Sequence, residues 1–284
     1  MKRWLSLAVA LCCVPALTIA CGGDGNSTVN SAGAIASKTA AGTTPAAAAT
    51  PNPSVSPKLS LPASRYTVLQ ADVGPAFLTD IPHTFVLDID SYAATATFAT
   101  KQEGQKLLKD WGYAGGYETT LIPEGRQGAV LLGGFYLTIE SHLFSNEDGA
   151  KKAFTYFEQK LKMAGKATVT TIEPVGNQSS GWTLVDGKVT GSTTVDASYH
   201  RIVFRRGNLV AVVLTYGAAA FMTIDDAEAF AVLIDQKILG SVDAIEPTAT
   251  SNYTPPAGAA TRAPTNIAGL TPVTALTPSP AAGR

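Results

Sequence analysis

Few side chains in this sequence are equipped for chemistry, and the densest group lies between positions 135 and 144. Alternate residues of a strand share a face. Phe135, Leu137, Ile139 and Leu143 therefore lie together, with Ser141 among them. Tyr136, Thr138, Glu140 and His142 lie on the opposite face, with Phe144. That second face sets hydroxyls beside a carboxylate and an imidazole that titrates near neutrality. Such a set suits a small-ligand site on a sheet surface, and Tyr136, Glu140 and His142 are its candidate ligand-binding residues. The alternative is a face that is merely solvated or paired within the core. A buried Glu140 would then require a cation or several hydrogen bonds, because an unpaired buried carboxylate is costly.

Other constellations carry less. The remaining histidines are His83, in a loop after Pro82, and His200, on another strand-like run. A metal centre needs three or more converging ligands, and Glu140 with His142 supplies two, so no metal or other cofactor is expected. The sequence has no Gly-x-Ser-x-Gly, no phosphate-binding loop, no His-Glu-x-x-His and no dinucleotide fingerprint. No catalytic residue is assigned, and a non-enzyme is expected. Gly112 to Gly116 and Gly133-Gly134 lack the strand-to-helix setting of a phosphate site and read as turns and caps. Trp111, Tyr113 and Tyr117, with Trp182, could form a sugar platform, but core packing and edge cover account for them more simply.

Two long segments cannot build a core. Residues 22–62 consist mainly of Ala, Thr, Ser, Gly, Pro and Asn, and residues 246–284 repeat that style with Pro and Thr throughout. Both are too poor in large apolar side chains to offset chain entropy and are expected to be disordered. Residues 63–245 remain as one globular domain. They carry 15 Lys and Arg against 20 Asp and Glu, a balance that argues against a nucleic-acid partner.

All three cysteines, Cys12, Cys13 and Cys21, precede that domain, which must therefore fold without disulfides. Met1-Lys2-Arg3 is basic, Trp4 to Ile19 is nearly all apolar, and Ala20 stands before Cys21. This is the pattern of a cleaved secretory signal at residues 1–20. The run Leu17-Thr18-Ile19-Ala20-Cys21 resembles the lipobox of bacterial lipoproteins. Thr18 stands where that family usually carries Leu, Val or Ile, and Leu17 lies one place early. The resemblance implies that Cys21 receives a diacylglycerol and becomes the N-terminus. It further implies that residues 21–62 form a lipid-anchored linker on the outer face of the bacterial cell membrane.

Within the domain the hydrophobic period changes repeatedly. Residues 65–69 and 84–88 read as short strands, and 89–99 fit neither period. A helix follows from Gln102, with Leu107, Leu108 and Trp111 on one face and Gly112 as its stop. Strands are expected at 117–122, 129–144, 167–175 and 182–185. Ser145 with Asp148 starts a second helix whose stripe is Ala150, Ala153, Phe154, Phe157 and Leu161, ending near Gly165. Residues 194–205 and 209–216 form a hairpin about Gly207-Asn208. The run of apolar residues from Leu209 to Leu214 marks a central strand buried on both sides. A third helix begins at Thr223 and ends at Gly240.

This order predicts an α+β domain with a mainly antiparallel sheet and three main helices, which would have to cover both sheet faces. In element order it resembles the Mog1/PsbP-like α-β-α sandwich of some bacterial lipoproteins. The function expected is that of an extracytoplasmic sensor or accessory domain binding a small ligand or an envelope protein. A cell-envelope hydrolase and a structural component of an envelope complex are the alternatives.

Overall fold

The computed structural model describes residues 52–162, 166–191, 193–247 and 251–252. The signal segment, Cys21, most of the linker, the expected helix end at Gly165 and nearly all of the Pro/Thr-rich tail lie outside the described residues. The protein is α+β. Its elements in chain order are α1 (Gln70–Val73), β1 (Phe77–Thr79), β2 (Phe85–Leu87), α2 (Ile89–Ala93), α3 (Lys101–Asp110), β3 (Tyr113–Pro123), α4 (Gln127–Val130), β4 (Phe135–Phe144), α5 (Glu147–Lys162), β5 (Thr168–Thr170), β6 (Gln178–Thr190), β7 (Thr194–Arg206), β8 (Leu209–Ala218), α6 (Ile224–Ile238) and β9 (Ser251–Asn252). Among the described residues the strands form one sheet in the order β5-β6-β7-β8-β4-β3-β2-β9, with β1 also paired to β3. Every pairing is antiparallel except β2 with β9.

The three long helices are the ones the apolar periodicity predicts. They cover both faces, as the uninterrupted apolar run of β8 requires. On one face Leu121, Leu137, Ile139, Ile202, Phe204, Ala211 and Val213 pack with Ala227, Ala231 and Ile234 of α6. On the other, Leu87, Phe144, Val203, Val210 and Val212 pack with Leu108, Trp111, Phe154, Phe157 and Leu161 of α3 and α5. Farther along this second face lies a separate cluster of Ile122, Val130, Tyr136, Leu184, Ala197 and Tyr199.

Local differences from the sequence reading have identifiable causes. Residues 65–69 form no strand: a 3-10 turn at Ala63–Arg65 leads into α1, and Val68 is buried beneath α6 rather than in a ladder. The expected strand at 129–144 begins only at Phe135, because Gly125 and Gly133 turn the chain and α4 fills the interval. The strand at 167–175 shrinks to β5, while that at 182–185 lengthens into β6 through its ladder with β7. Ser145 is not the N-cap of α5. Its hydroxyl donates to Gly112 O, and Asn146 Oδ1 accepts from Gly149 N at 2.8 Å. At the start of α6 the Asp226 carboxylate accepts from Thr223 N at 2.8 Å.

The last residues of the expected linker belong to the folded unit. Arg206 is fully buried and forms two 2.7 Å bonds to Asp235, also fully buried. Its remaining terminal nitrogen donates at 2.8 Å to both Asn52 O and Val55 O. Asn208 Oδ1 accepts from Leu59 N at 2.7 Å, and its Nδ2 donates to Leu59 O and Phe144 O. Residues 52–59 thus lie along the β7–β8 turn. At the other boundary Glu246 bonds Ser64 and Arg65.

Removing one partner of a buried ion pair strands the other charge, at a cost of about 3–5 kcal/mol. Arg206→Ala should therefore lower the unfolding free energy by about that amount in urea titration. Arg206→Met combined with Asp235→Leu should recover part of the loss.

Candidate functional site

The second sheet face carries apolar clusters at both ends, and the register places a polar belt between them. On β3, Glu118 and Thr120 lie between Gly116 and Ile122. On β4, Thr138, Glu140 and His142 lie between Tyr136 and Phe144. On β7, Arg201 lies between Tyr199 and Val203. Glu118 stands directly opposite Glu140 in the β3–β4 ladder. Such positions bring Cβ atoms within roughly 4.5–5.5 Å and make like charges unfavourable. Both side chains are half-buried rather than sealed, and Glu140 keeps 20% of its side-chain surface accessible.

Glu140 is held from several sides. Its Oε2 lies 3.1 Å from His142 Nε2, and the Tyr92 hydroxyl and the charge of Arg201 favour its ionised form. His142 is inaccessible to solvent. Its ring stacks on Tyr92 at 4.3 Å between centroids, and its Nδ1 is 3.4 Å from the Tyr113 hydroxyl. Room for this stack depends on Gly116, which faces His142 across the ladder. A Cβ there would fall 2.3 Å from the Tyr113 hydroxyl oxygen and 2.9 Å from His142 Nδ1. In this arrangement His142 is a positioning residue for Glu140.

The two carboxylates are driven apart in proton affinity. Burial pushes Glu118 well above its ordinary value, and the charge of Glu140 pushes it further the same way. Burial works against Glu140 as well. Its bond to and attraction by His142, the charge of Arg201 and the Tyr92 hydroxyl outweigh that penalty and hold it below the usual carboxylate value. The belt therefore sets a carboxyl of raised proton affinity beside one of lowered affinity, a division that unlike surroundings can impose on two identical groups.

Other candidates fall elsewhere. Tyr136 shares the face of Glu140 but belongs to the far apolar cluster, 5.7 Å from the Tyr216 ring, with Thr138 between it and the carboxylate. Thr138 itself bonds Thr120 across the ladder at 3.2 Å. His83 pairs with Asp80 at 2.8 Å on the surface. His200 is buried on the α6 face, bonded to Thr183 and Ser198, and burial lowers its proton affinity. Trp111, Tyr113 and Trp182 are core residues under α5, whereas Tyr117 is buried on the opposite face. Among the described residues no three His, Cys, Asp or Glu are placed to hold a metal ion.

Sequence reasoning missed Glu118, Arg201, Tyr92 and Gly116. Arg201 stands among other polar and charged residues of β7 and offered no local sign. A glycine within a strand signals a close approach, and this was the sign for Gly116. Pairing Glu118 with Glu140 required the register.

No family model matches the chain, and no curated protein matches it. Among solved structures it is similar to the extracellular domain of PknH from Mycobacterium tuberculosis. That likeness has 13% identity, covers 65% of this chain and all of that one, and has a TM-score of 0.38.

A raised carboxyl favours the fold only while protonated. The contribution of Glu118 is thus complete below the unfolded value, near 4.5, and is lost as pH rises through its higher folded value. Glu118→Gln should melt with the wild type at about pH 4 and above it at about pH 8. For Glu140, whose value is lowered, the sign reverses: Glu140→Gln should be destabilised near neutrality, and the gap should narrow in acid. Melting temperature against pH checks both.

Proposed function

We propose that the protein is a membrane-anchored extracytoplasmic lipoprotein whose domain serves as a non-catalytic sensor or accessory module, binding a small polar ligand or an envelope protein. The anchor rests on the lipobox-like run ending at Cys21. Acylation there would hold the domain at the outer face of the membrane, with two or three acyl chains supplying the retention that one cannot.

The observation that carries the binding reading is the facing pair Glu118 and Glu140. A fold gains nothing from two opposed carboxylates at the middle of a sheet, and apolar residues occupy both ends of the same face. Perturbed, partly accessible acids of this kind concentrate at functional sites. The ligand chemistry that fits is a cation, or a molecule presenting several N–H or O–H donors, since either would relieve the repulsion and satisfy both groups. His142 would orient Glu140, and Arg201 would balance part of its charge.

A hydrolase acting on envelope polysaccharide is the second reading, favoured by the unequal proton affinities. Glycoside hydrolysis uses one carboxylic acid and one carboxylate, and Glu118 and Glu140 would take those roles in that order.

Two measurements test the proposal. Metabolic labelling with a fatty acid should mark the wild type and not Cys21→Ser, which should leave the membrane fraction or remain uncut; equal labelling of both would remove the anchor. Native mass spectrometry of the full-length protein purified from its own membranes should find a retained small molecule that Glu118→Gln/Glu140→Gln loses. Retention by both proteins would place the ligand elsewhere. Cleavage of purified envelope polysaccharide by the wild type but not by Glu118→Gln would replace binding by catalysis.

A further inference from the structure

We propose that the sheet end at the β7–β8 turn is a peptide-binding site that reads main chain, occupied in this structure by the chain's own residues 52–59. Three side chains address backbone atoms of that segment. Arg206 donates to Asn52 O and Val55 O, each at 2.8 Å. Asn177 Nδ2 donates to Pro53 O at 2.7 Å and to Val55 O at 2.9 Å. Asn208 holds both the N–H and the carbonyl of Leu59, at 2.7 and 3.1 Å, as a neighbouring strand would.

The readers are fixed by bonds that do not involve the segment. Asp235 grips the other two nitrogens of Arg206, Gly207 N donates to Asn177 Oδ1 at 2.8 Å, and Phe144 O holds Asn208 Nδ2 at 2.6 Å. Preorganised donors of this kind bind without first having to be ordered. Gly207 adds a steric condition: a Cβ there would lie 1.9 Å from Pro57 O, so only glycine lets the segment lie this close.

Of the segment's own side chains, Ser56 makes one long bond, its hydroxyl donating to Asn177 Oδ1 at 3.4 Å, and Ser54, Val55, Ser56 and Lys58 are exposed; Leu59 reaches the α6-side core as a partly buried anchor. The ligand class is therefore an extended peptide with prolines where N–H groups would find no acceptor and one apolar residue at its C-terminal end. Pro53 also borders an open cleft of about 400 Å³ lined by Thr170–Ile172 and Pro174–Gly181.

The test uses the full chain with a protease site placed at residues 60–62 and cut after folding. A fluorescent peptide of residues 52–59 is then added in excess, so that it displaces the severed segment, and anisotropy is followed. Saturable binding is expected. Replacing Ser54, Ser56 and Lys58 of the peptide by alanine should change the affinity by less than about threefold. Asn208→Ala in the protein should weaken it about tenfold, which corresponds to about 1.4 kcal/mol for the two hydrogen bonds lost. Three results would overturn the proposal: a cut chain that keeps its circular dichroism but binds no peptide, a chain that unfolds on cutting, or binding indifferent to Asn177→Ala and Asn208→Ala.

Discussion

The ion pair between Arg206 and Asp235 joins parts of the chain that nothing else unites so directly. Arg206 ends β7, the neighbour of the central strand β8, Asp235 lies in the last turn of α6, and the remaining guanidinium nitrogen reaches residues 52 and 55. A buried arginine is tolerable only when each of its donors finds an acceptor in good geometry. Here the acceptors come from two separate segments, α6 and residues 52–55, so helix, hairpin and incoming chain must be in place together. Lys237, two residues beyond Arg206's partner, repeats the arrangement more modestly by donating to Thr67 O and Asp72.

The same sheet holds its charges in two different ways. Behind α6, opposite charges are matched and closed off. Under α5 and α4, like charges face each other and remain partly open. Paired opposites serve the fold directly. Opposed carboxylates do not, and they persist here because His142 and Arg201 compensate Glu140, while burial and the charge of Glu140 raise the proton affinity of Glu118. The aromatic stack that steadies His142 in turn belongs to the core beneath α5, which links the belt to the packing of the domain.

Elements with a long, clean period were legible in the sequence. The stripes of α5 and α6, the alternation of β4 and the Gly207-Asn208 turn each follow from local chemistry, and the unbroken apolar run of β8 implied cover on both faces. Short elements were not legible, because their structure is decided by neighbours: Val68 is drawn under α6, and β5 exists only where β6 offers a ladder. The site divides along the same line. Glu140 and His142 are two residues apart on one strand, so their association is local. Glu118 and Arg201 reach the belt through register alone. Composition also misjudged the end of the linker, since residues 52–59 are held through backbone atoms, which side-chain statistics do not record.

The two rims of the sheet are finished differently. At β2 the chain returns after Glu246 and lays Ser251–Asn252 alongside as β9. At the opposite rim β5 spans only part of β6, and the uncovered length carries a bulge between Val185 and Lys188, with Gly187 in a left-handed conformation. An open, straight rim is a template for unwanted strand pairing between molecules, and bulges, lysines and covering segments are the usual remedies. Copies crowded together on one surface would meet rim to rim far more often than copies free in solution. The bulge with Gly187 at one rim and β9 at the other shorten the straight edge that such meetings would need.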